Sequence, residues 1–382
     1  MLPILYDAMT TYISEEIWIY ALDFGSEALK IFKDAPHIGD VIFANESEKI
    51  TRFFDVIQNE IKRRRAILSD YGGDYNLYIS TSGEIMPMIA VIINNYEAFS
   101  EIYEDDFENI ISTLTREGTR CGIVFIITAS AVNDLRYRLS QNFKRKIVLQ
   151  MNSDDDYFSI FDNVGKKRPS HIFGRGLITL ENNEIYEFQT AKICEADKWN
   201  AFIRDEIDGL NERGMTKAEN IPVIPNKVTF EDVKNELKDI TSVPIGITKK
   251  ELKPYAYNFK KDFINVIASK NIENGMVFIS HIIEEIQTLP EVNLTILDAE
   301  RTKQSKKELL SANYGLFKSK MGKNTGGKNK HNLCIIIGLD KFLNYIDDGE
   351  FGFIETLKKA EELEIYSFII VESATKLKNH EY

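Results

Sequence analysis

Short runs of aliphatic and β-branched residues alternate with long amphipathic segments through most of this 382-residue chain. That alternation predicts an α/β architecture whose strands are mostly parallel and covered on both faces. Residues 17–24 read as a buried strand. Asn45 followed by Glu48 opens a helix that places Ile50, Phe53, Phe54, Ile57 and Ile61 on one face. Residues 88–93 are the next strand, followed by a helix with Phe107, Ile110, Ile111 and Leu114 inward. Residues 122–128 read as a third strand and 147–150 as a fourth. Two runs of period two, 176–180 and 184–189, flank Glu181-Asn182-Asn183, the pattern of a hairpin.

The character changes over residues 194–243. A helix around Trp199, Phe202, Ile203 and Ile207 leads to the proline-containing stretch 221–227, then to a short helix with Phe230, Val233 and Leu237. This stretch is too apolar for a free linker and is expected to pack as a connector between domains. After Pro244 the α/β pattern restarts, with strands at 263–268, 293–298, 333–337 and 366–371 and helices at 274–288 and 354–363. Leu22-Asp23 resembles Leu297-Asp298, 89–96 resembles 334–341, and 121–128 resembles 364–371, so the second half is expected to repeat the first in degenerate form. The expected domains are 1–193, a connector at 194–243, and 244–382, whose sheet lacks any counterpart of 147–189.

Lys and Arg number 47 against 59 Asp and Glu, a formal net charge of −12. Such a chain is a poor non-specific ligand for nucleic acid or anionic lipid, both of which demand basic surfaces. Cys121, Cys194 and Cys334 lie far apart without a Cys-x-x-Cys pair, which argues against a disulfide scaffold or zinc module and fits a reducing compartment. The five histidines (His37, His171, His281, His331, His380) lack ligand spacing, so surface or capping roles are expected and no metal site. No apolar run reaches membrane-span length, and residues 1–11 lack the basic start of a signal peptide, so a soluble intracellular chain is expected.

The strand at 88–93 runs into Asn94-Asn95-Tyr96. An apolar strand ending in two polar residues is the shape of a Walker B segment, whose acids hold Mg²⁺ and orient a nucleophile. An ordinary strand end fits the segment equally well. Both acid positions here are amides, which carry no charge and take no proton. Residues 322–329 nearly spell a phosphate loop. They sit in a lysine-rich stretch before a strand, whereas a functional loop follows a strand and opens a helix, so a flexible basic loop is the expectation. Asp23-Phe24-Gly25 copies a kinase triplet without the other kinase motifs and reads as a strand end. Arg63-Arg64-Arg65 reads as a solvated helix face.

Several segments fall in the order seen in the FtsK/SpoIIIE family of RecA-like motor ATPases. They are Asp23 at its strand end, Ala35-Pro36-His37, the helix ending at 59–65, the Walker-B-like 89–96, Arg116-Glu117-Gly118, 122–130, 142–149, 153–162 and Gly174-Arg175-Gly176. The resemblance covers residues 1–191. Within the family, 23–29, 93–99, 128–134, 244–247 and 266–272 look most like the second and third cytoplasmic ATPase domains of type VII secretion coupling proteins. The resemblance implies two tandem RecA-like domains of the P-loop NTPase fold, the second incomplete. It implies that full-length members carry upstream membrane helices, form hexamers at the cytoplasmic side of a Gram-positive cell membrane, bind ATP and Mg²⁺, and receive secreted substrates of the WXG100 or LXG type alongside other secretion subunits.

By family position the nucleotide-site candidates are Asp23, Asn94, Asn95, Thr128, Ser130, Lys146 and Arg175. This sequence departs from the pattern at several of them. Asn94 and Asn95 replace the Walker B acids, Ser130 a sensor glutamine, and Lys146 the arginine that reaches a neighbour's nucleotide. The phosphate loop of the first domain is expected before Met1. In the last domain that loop reads 268–275, where Ala268 and Glu273 replace glycines, Asn274 replaces the lysine and Gly275 follows; the matching Walker B end reads Gly338-Leu339. Loss of lysine, metal ligand and base together predicts no turnover and no cofactor held by this chain. The expected role is substrate recognition coupled to an upstream ATPase. The alternative is an ATP-driven DNA translocase, which the net charge and missing residues disfavour; nucleotide binding without hydrolysis, around Asp23, Asn94, Thr128 and Lys146, is a third reading.

Overall fold

A computed structural model describes residues 1–131, 134–161, 164–180, 184–236, 242–249, 251–258, 261–287, 292–320, 331–362 and 365–371. The chain divides into two compact units, Met1–Val223 and Ile224–Tyr382. The glycine- and lysine-rich stretch 322–329 and the hairpin tip 181–183 lie outside the described residues.

The first unit runs α1 (Leu2–Thr11), β1 (Ile17–Asp23), β2 (Ile38–Phe43), α2 (Ser47–Leu68), α3 (Tyr75–Ser82), β3 (Met88–Asn94), α4 (Tyr96–Gly118), β4 (Ile123–Ile127), α5 (Tyr137–Ser140), β5 (Ile147–Val148), α6 (Asp154–Ile160), β6 (Arg175–Thr179), β7 (Ile185–Gln189) and α7 (Trp199–Glu212). Its main sheet has the order β2-β1-β3-β4, all parallel. One face buries Leu22, Val91 and Ile93 against the α2 stripe of Ile50, Phe53, Phe54 and Ile57. The other buries Ile19, Ala21 and Ile92 against α1 and α7 through Leu5, Met9, Ile203 and Ile207. Continuous burial of β1 and β3 follows from having helices on both sides.

Residues 147–150, expected as a fourth strand of this sheet, contribute only the two-residue β5, which joins β6 and β7 in a separate antiparallel sheet. Four residues are too few to reveal from pattern alone which sheet they join. Nor is the Arg63–Arg65 run a solvated face throughout. Arg63 and Arg65 are exposed, but Arg64 is fully buried. Its guanidinium donates to Glu60 Oε1 at 2.7 Å, to the carbonyl of Pro87 at 2.7 Å and to that of Cys121 at 3.0 Å, tying α2 to the starts of β3 and β4. The turn continues through Gly122 (φ 69°), where a Cβ would stand 2.4 Å from the Tyr75 ring.

His37 is buried as well, not at the surface. Its Nε2 lies 2.9 Å from the carbonyl of Tyr12 and donates to it, which leaves Nδ1 buried without a partner.

The second unit contains α8 (Phe230–Glu236), β8 (Ser242–Ile247), β9 (Pro254–Asn258), β10 (Ile264–Ala268), α9 (Ile272–Gln287), β11 (Val292–Asp298), α10 (Lys307–Lys320), β12 (His331–Ile337), α11 (Leu339–Tyr345), α12 (Gly349–Lys358) and β13 (Ile365–Val371). Its parallel sheet has the order β10-β13-β12-β11. Thus β11, β12 and β13 occupy the places of β1, β3 and β4. Among the described residues this unit has no counterpart of β5–β7, and β8 and β9 form a hairpin of their own. The stretch 194–243 is divided between the units, α7 packing in the first and α8 against β8 in the second.

The two sheets differ at one edge. In the second unit β10 pairs with β13, and residues 366–371 are buried throughout. In the first, no described strand pairs with the outer edge of β4, and four of its five residues are only half-buried. Alternate β4 amides should therefore exchange with deuterium roughly tenfold or more faster than the β13 amides, read by hydrogen-exchange mass spectrometry.

Burial holds the His37 imidazole below its ordinary value of 6.5, although the Tyr12 carbonyl and Glu15 favour the charged form. The native state then binds fewer protons than the unfolded chain, so this contribution to stability is intact above pH 6.5 and declines as the pH falls below it. The melting temperature of the first unit should drop between pH 7.5 and about 5.5, and His37→Gln should flatten that dependence.

Candidate functional site

In an open parallel sheet the strand ends and the loops after them form the crevice where ligands bind. In the first unit this end carries Asp23 on β1, Asn94 and Asn95 at the end of β3, and Thr128 just after β4. The β1–β3 register sets Asp23 opposite Asn94. Asn94 Nδ2 donates to Asp23 Oδ1 at 2.9 Å, and the Thr128 hydroxyl donates to Asn94 Oδ1 at 2.8 Å. The Asn95 backbone N–H donates to the same Thr128 oxygen at 2.8 Å. Asp23 also accepts from the backbone of Gly25 at 3.1 Å and of Leu29 at 3.1 Å, so a buried carboxylate is held by three donors. Asn95 sits in the left-handed region at φ 64°, donates from Nδ2 to the Phe24 carbonyl at 3.2 Å, and leaves Oδ1 buried without a partner.

Asp23, Asn94, Asn95 and Thr128 are thus brought together at the strand ends. Ser130, Lys146 and Arg175 make other contacts. The Ser130 amide donates to Asp134 Oδ2 at 2.9 Å. Lys146 Nζ donates to the Ile160 carbonyl at 3.3 Å. Arg175 pairs across the β6–β7 ladder with Gln189 at 2.7 Å and Glu187 at 3.3 Å.

The second unit has its own version of this crevice. The connection from β10 to α9, residues 269–271, is short and closed by Asn271. Asn271 Oδ1 accepts from the Glu273 amide at 2.8 Å, and the Asn271 carbonyl accepts from those of Asn274 at 3.1 Å and Gly275 at 3.3 Å. Ser269 Oγ donates to that same carbonyl at 2.6 Å. A phosphate cradle needs free N–H groups at the helix start. Here three of them are already used, Ala268 and Glu273 stand at the glycine positions, and Asn274 carries no cation. The residues present do not fit ATP with Mg²⁺.

Register also shifts the correspondence at the Walker B end by one residue. Asp298 lies opposite Ile337 as Asp23 lies opposite Asn94, so Ile337 matches Asn94 and Gly338 matches Asn95. Gly338 shares the left-handed conformation of Asn95, at φ 75°. A Cβ there would stand 2.6 Å from Glu300 Oε1, so the Glu300 side chain, ion-paired to Lys341, fills the space that a residue side chain would take. Neither Glu300 nor Asn271 was singled out from sequence; the only signals were an acid two residues beyond Asp298 and an asparagine just before a helix.

A cavity of about 380 Å³ lies elsewhere in the second unit, between α8, β8 and the C-terminal half of α9. Among the described residues no group of three or more His, Cys, Asp or Glu is placed to hold a metal ion.

Replacing Asn94 by Asp removes a donor and sets two carboxylates within hydrogen-bond distance. The variant should lose about 1–3 kcal/mol of first-unit stability in urea titrations. Repulsion would raise the folded-state pKa of one carboxyl of the pair, so the loss should grow as the pH rises from about 5 to 8.

Residues 4–176 match the FtsK/SpoIIIE family. The chain is 27% identical over 256 residues to the type VII secretion system protein EssC of Staphylococcus aureus (strain MSSA476), covering 64% of this chain and 17% of that protein. It is 24% identical over 305 residues to the ESX secretion system protein EccC of Geobacillus thermodenitrificans (strain NG80-2), covering 78% of this chain and 20% of the relative. The chain therefore spans only a small part of the length of these relatives. Among solved structures, ATPases 2 and 3 of EssC from Geobacillus thermodenitrificans superpose with a TM-score of 0.74 at 20% identity, over 96% of this chain and 75% of that one. ATPases 2 and 3 of Thermomonospora curvata EccC, in complex with a signal sequence peptide, give 0.65 at 17% identity, over 96% and 72%. At such identities the likeness speaks to fold alone. The architecture is RecA-like in both units, and residues 4–176 of the first are similar to the FtsK/SpoIIIE family.

Proposed function

We propose that this chain works as the substrate-recognition and coupling part of a type VII secretion protein of the EssC/EccC kind, with its own nucleotide positions degenerate. The observation that carries the reading is the β10–α9 connection, where Asn271 takes the amides that a phosphate would need. In the first unit the Asp23–Asn94–Thr128 bonds support the same reading, because they satisfy the strand ends without a metal. Sequence similarity to EssC and EccC, and structural likeness to an EccC bound to a signal peptide, support secreted proteins as the partners. On this reading the substrates are of the WXG100 or LXG type, the full protein is a hexamer at the cytoplasmic face of a Gram-positive membrane, and energy comes from an upstream ATPase. No helix among the described residues is long and apolar enough to cross a membrane.

The family match leaves one second reading, an ATP-driven DNA translocase. The net charge of −12 opposes it, since translocases must neutralise phosphates.

Calorimetry with a non-hydrolysable ATP analogue and Mg²⁺ should show no binding up to about millimolar nucleotide. The double variant Asn94→Asp with Asn95→Glu should still lack ATPase activity, because the acids alone supply neither phosphate cradle nor lysine. Micromolar nucleotide affinity, or turnover in the variant, would return the chain to the motor class.

A further inference from the structure

The outer edge of β4 carries main-chain groups that no described residue uses. The Thr128 N–H donates to the Ile93 carbonyl at 3.0 Å, and the Ile89 N–H donates to the Gly122 carbonyl at 2.9 Å. These bonds turn the main-chain groups of Gly122, Val124, Ile126 and Thr128 toward β3. By alternation those of Ile123, Phe125 and Ile127 face outward, and no described residue bonds to them. Edges that stand in water are ordinarily guarded by a charge, a proline or a bulge. The β4 sequence, Ile-Val-Phe-Ile-Ile, has neither charge nor proline, and its register with β3 runs without a bulge.

The second unit shows what fits such an edge. Trp18 opposite Ile89 corresponds to Asn293 opposite Asn332, and Ile89 opposite Ile123 to Asn332 opposite Ile365. Phe125 therefore matches Ser367, whose N–H donates to the Phe263 carbonyl at 2.8 Å, at the start of β10. The Ser269 N–H in turn donates to the Val371 carbonyl at 2.9 Å. The strand held there, Ile-Asn-Val-Ile-Ala, is uncharged and β-branched. On β4, Phe125 and Ile127 pack on the α2 side and Val124 and Ile126 on the α1 and α7 side. A neighbouring strand would thus meet apolar side chains on both faces.

We propose that the β4 edge takes a fifth parallel strand from a partner polypeptide. The guest is an extended, uncharged, proline-free segment of about five residues, rich in β-branched side chains. Its alternate N–H and C=O groups pair with those of Ile123, Phe125 and Ile127, as β10 pairs with β13. The contact is made by main chain and needs neither nucleotide nor the substrate-recognition reading above.

The test uses the full chain and a fluorescein-labelled peptide with the order of residues 263–269, Phe-Ile-Asn-Val-Ile-Ala-Ser, flanked by lysines for solubility. One derivative is N-methylated on the amides that would face β4, those of Asn and the second Ile. Another is methylated on the alternate amides, those of the first Ile and Val. Fluorescence anisotropy should show the first derivative bound about tenfold or more weaker than the parent, and the second within about twofold of it. The saturating parent peptide should slow deuterium exchange at Ile123, Phe125 and Ile127 about tenfold or more and leave β13 unchanged. All changes lie in the peptide, so the fold of the chain is untouched. Equal affinity of the two methylated peptides, protection confined to β10 or β11, or no binding at all overturns the proposal. So does a dimer in sedimentation equilibrium whose β4 amides are already protected without peptide, since a second copy is then the occupant.

Discussion

The side-chain amide of Asn94 is the fastening on which the upper end of the first unit depends. Parallel strands end together, and their last polar groups cannot all reach water once α2 and α4 cover the sheet. Asn94 is both donor and acceptor, so one residue links the Asp23 carboxylate on β1 to the Thr128 hydroxyl beyond β4. A carboxylate at the same place accepts only, and it would need a cation between itself and Asp23. The amide makes the strand ends self-sufficient.

The second unit meets the same requirement differently. The residue that matches Asn94 by register is Ile337, buried in the sheet with a side chain that can make no hydrogen bond. Asp298 turns instead to the following loop and accepts from the Arg301 amide at 3.0 Å. Glu300 occupies the space over Gly338, and Asn271 closes the start of α9. Two unrelated sets of contacts have thus satisfied the same ring of strand ends. The polar groups at the strand ends must be satisfied in either unit, and the side chains that do so differ.

Much of this was legible in the residues because buried parallel strands announce themselves. The apolar runs at 17–24, 88–93 and 366–371 each became a central strand, and the α2 stripe followed its 3.6-residue period. The β2 strand escaped because Gly39 and Asp40 interrupt its apolar run; Asp40 is buried only by virtue of Lys49, 2.8 Å away. Arg64 escaped for a similar reason. Besides Glu60 one turn earlier, its partners are backbone carbonyls 23 and 57 residues away in sequence, which no local pattern encodes. The helix expected at 354–363 begins at Gly349, since Asp348 and Gly349 make a turn-like start that reads as loop. Asp23, Asn94, Asn95 and Thr128 were named from family positions; that they cluster follows from the strand register. That Ser130, Lys146 and Arg175 lie in other contacts depended on tertiary register, and the one-residue shift at Gly338 was settled only by the β11–β12 pairing.

The two kinds of polar site in this chain answer to different variables. A network of amide, hydroxyl and a fully bonded carboxylate carries no exchangeable counterion, so ionic strength and Mg²⁺ have little purchase on it. The cavity of the second unit is the reverse case: its walls are largely apolar, and the carboxylates Glu284 and Glu285 line its rim. Charge is thus closed on itself at the strand ends and open to solvent at the cavity rim. This division follows from burial and charge alone.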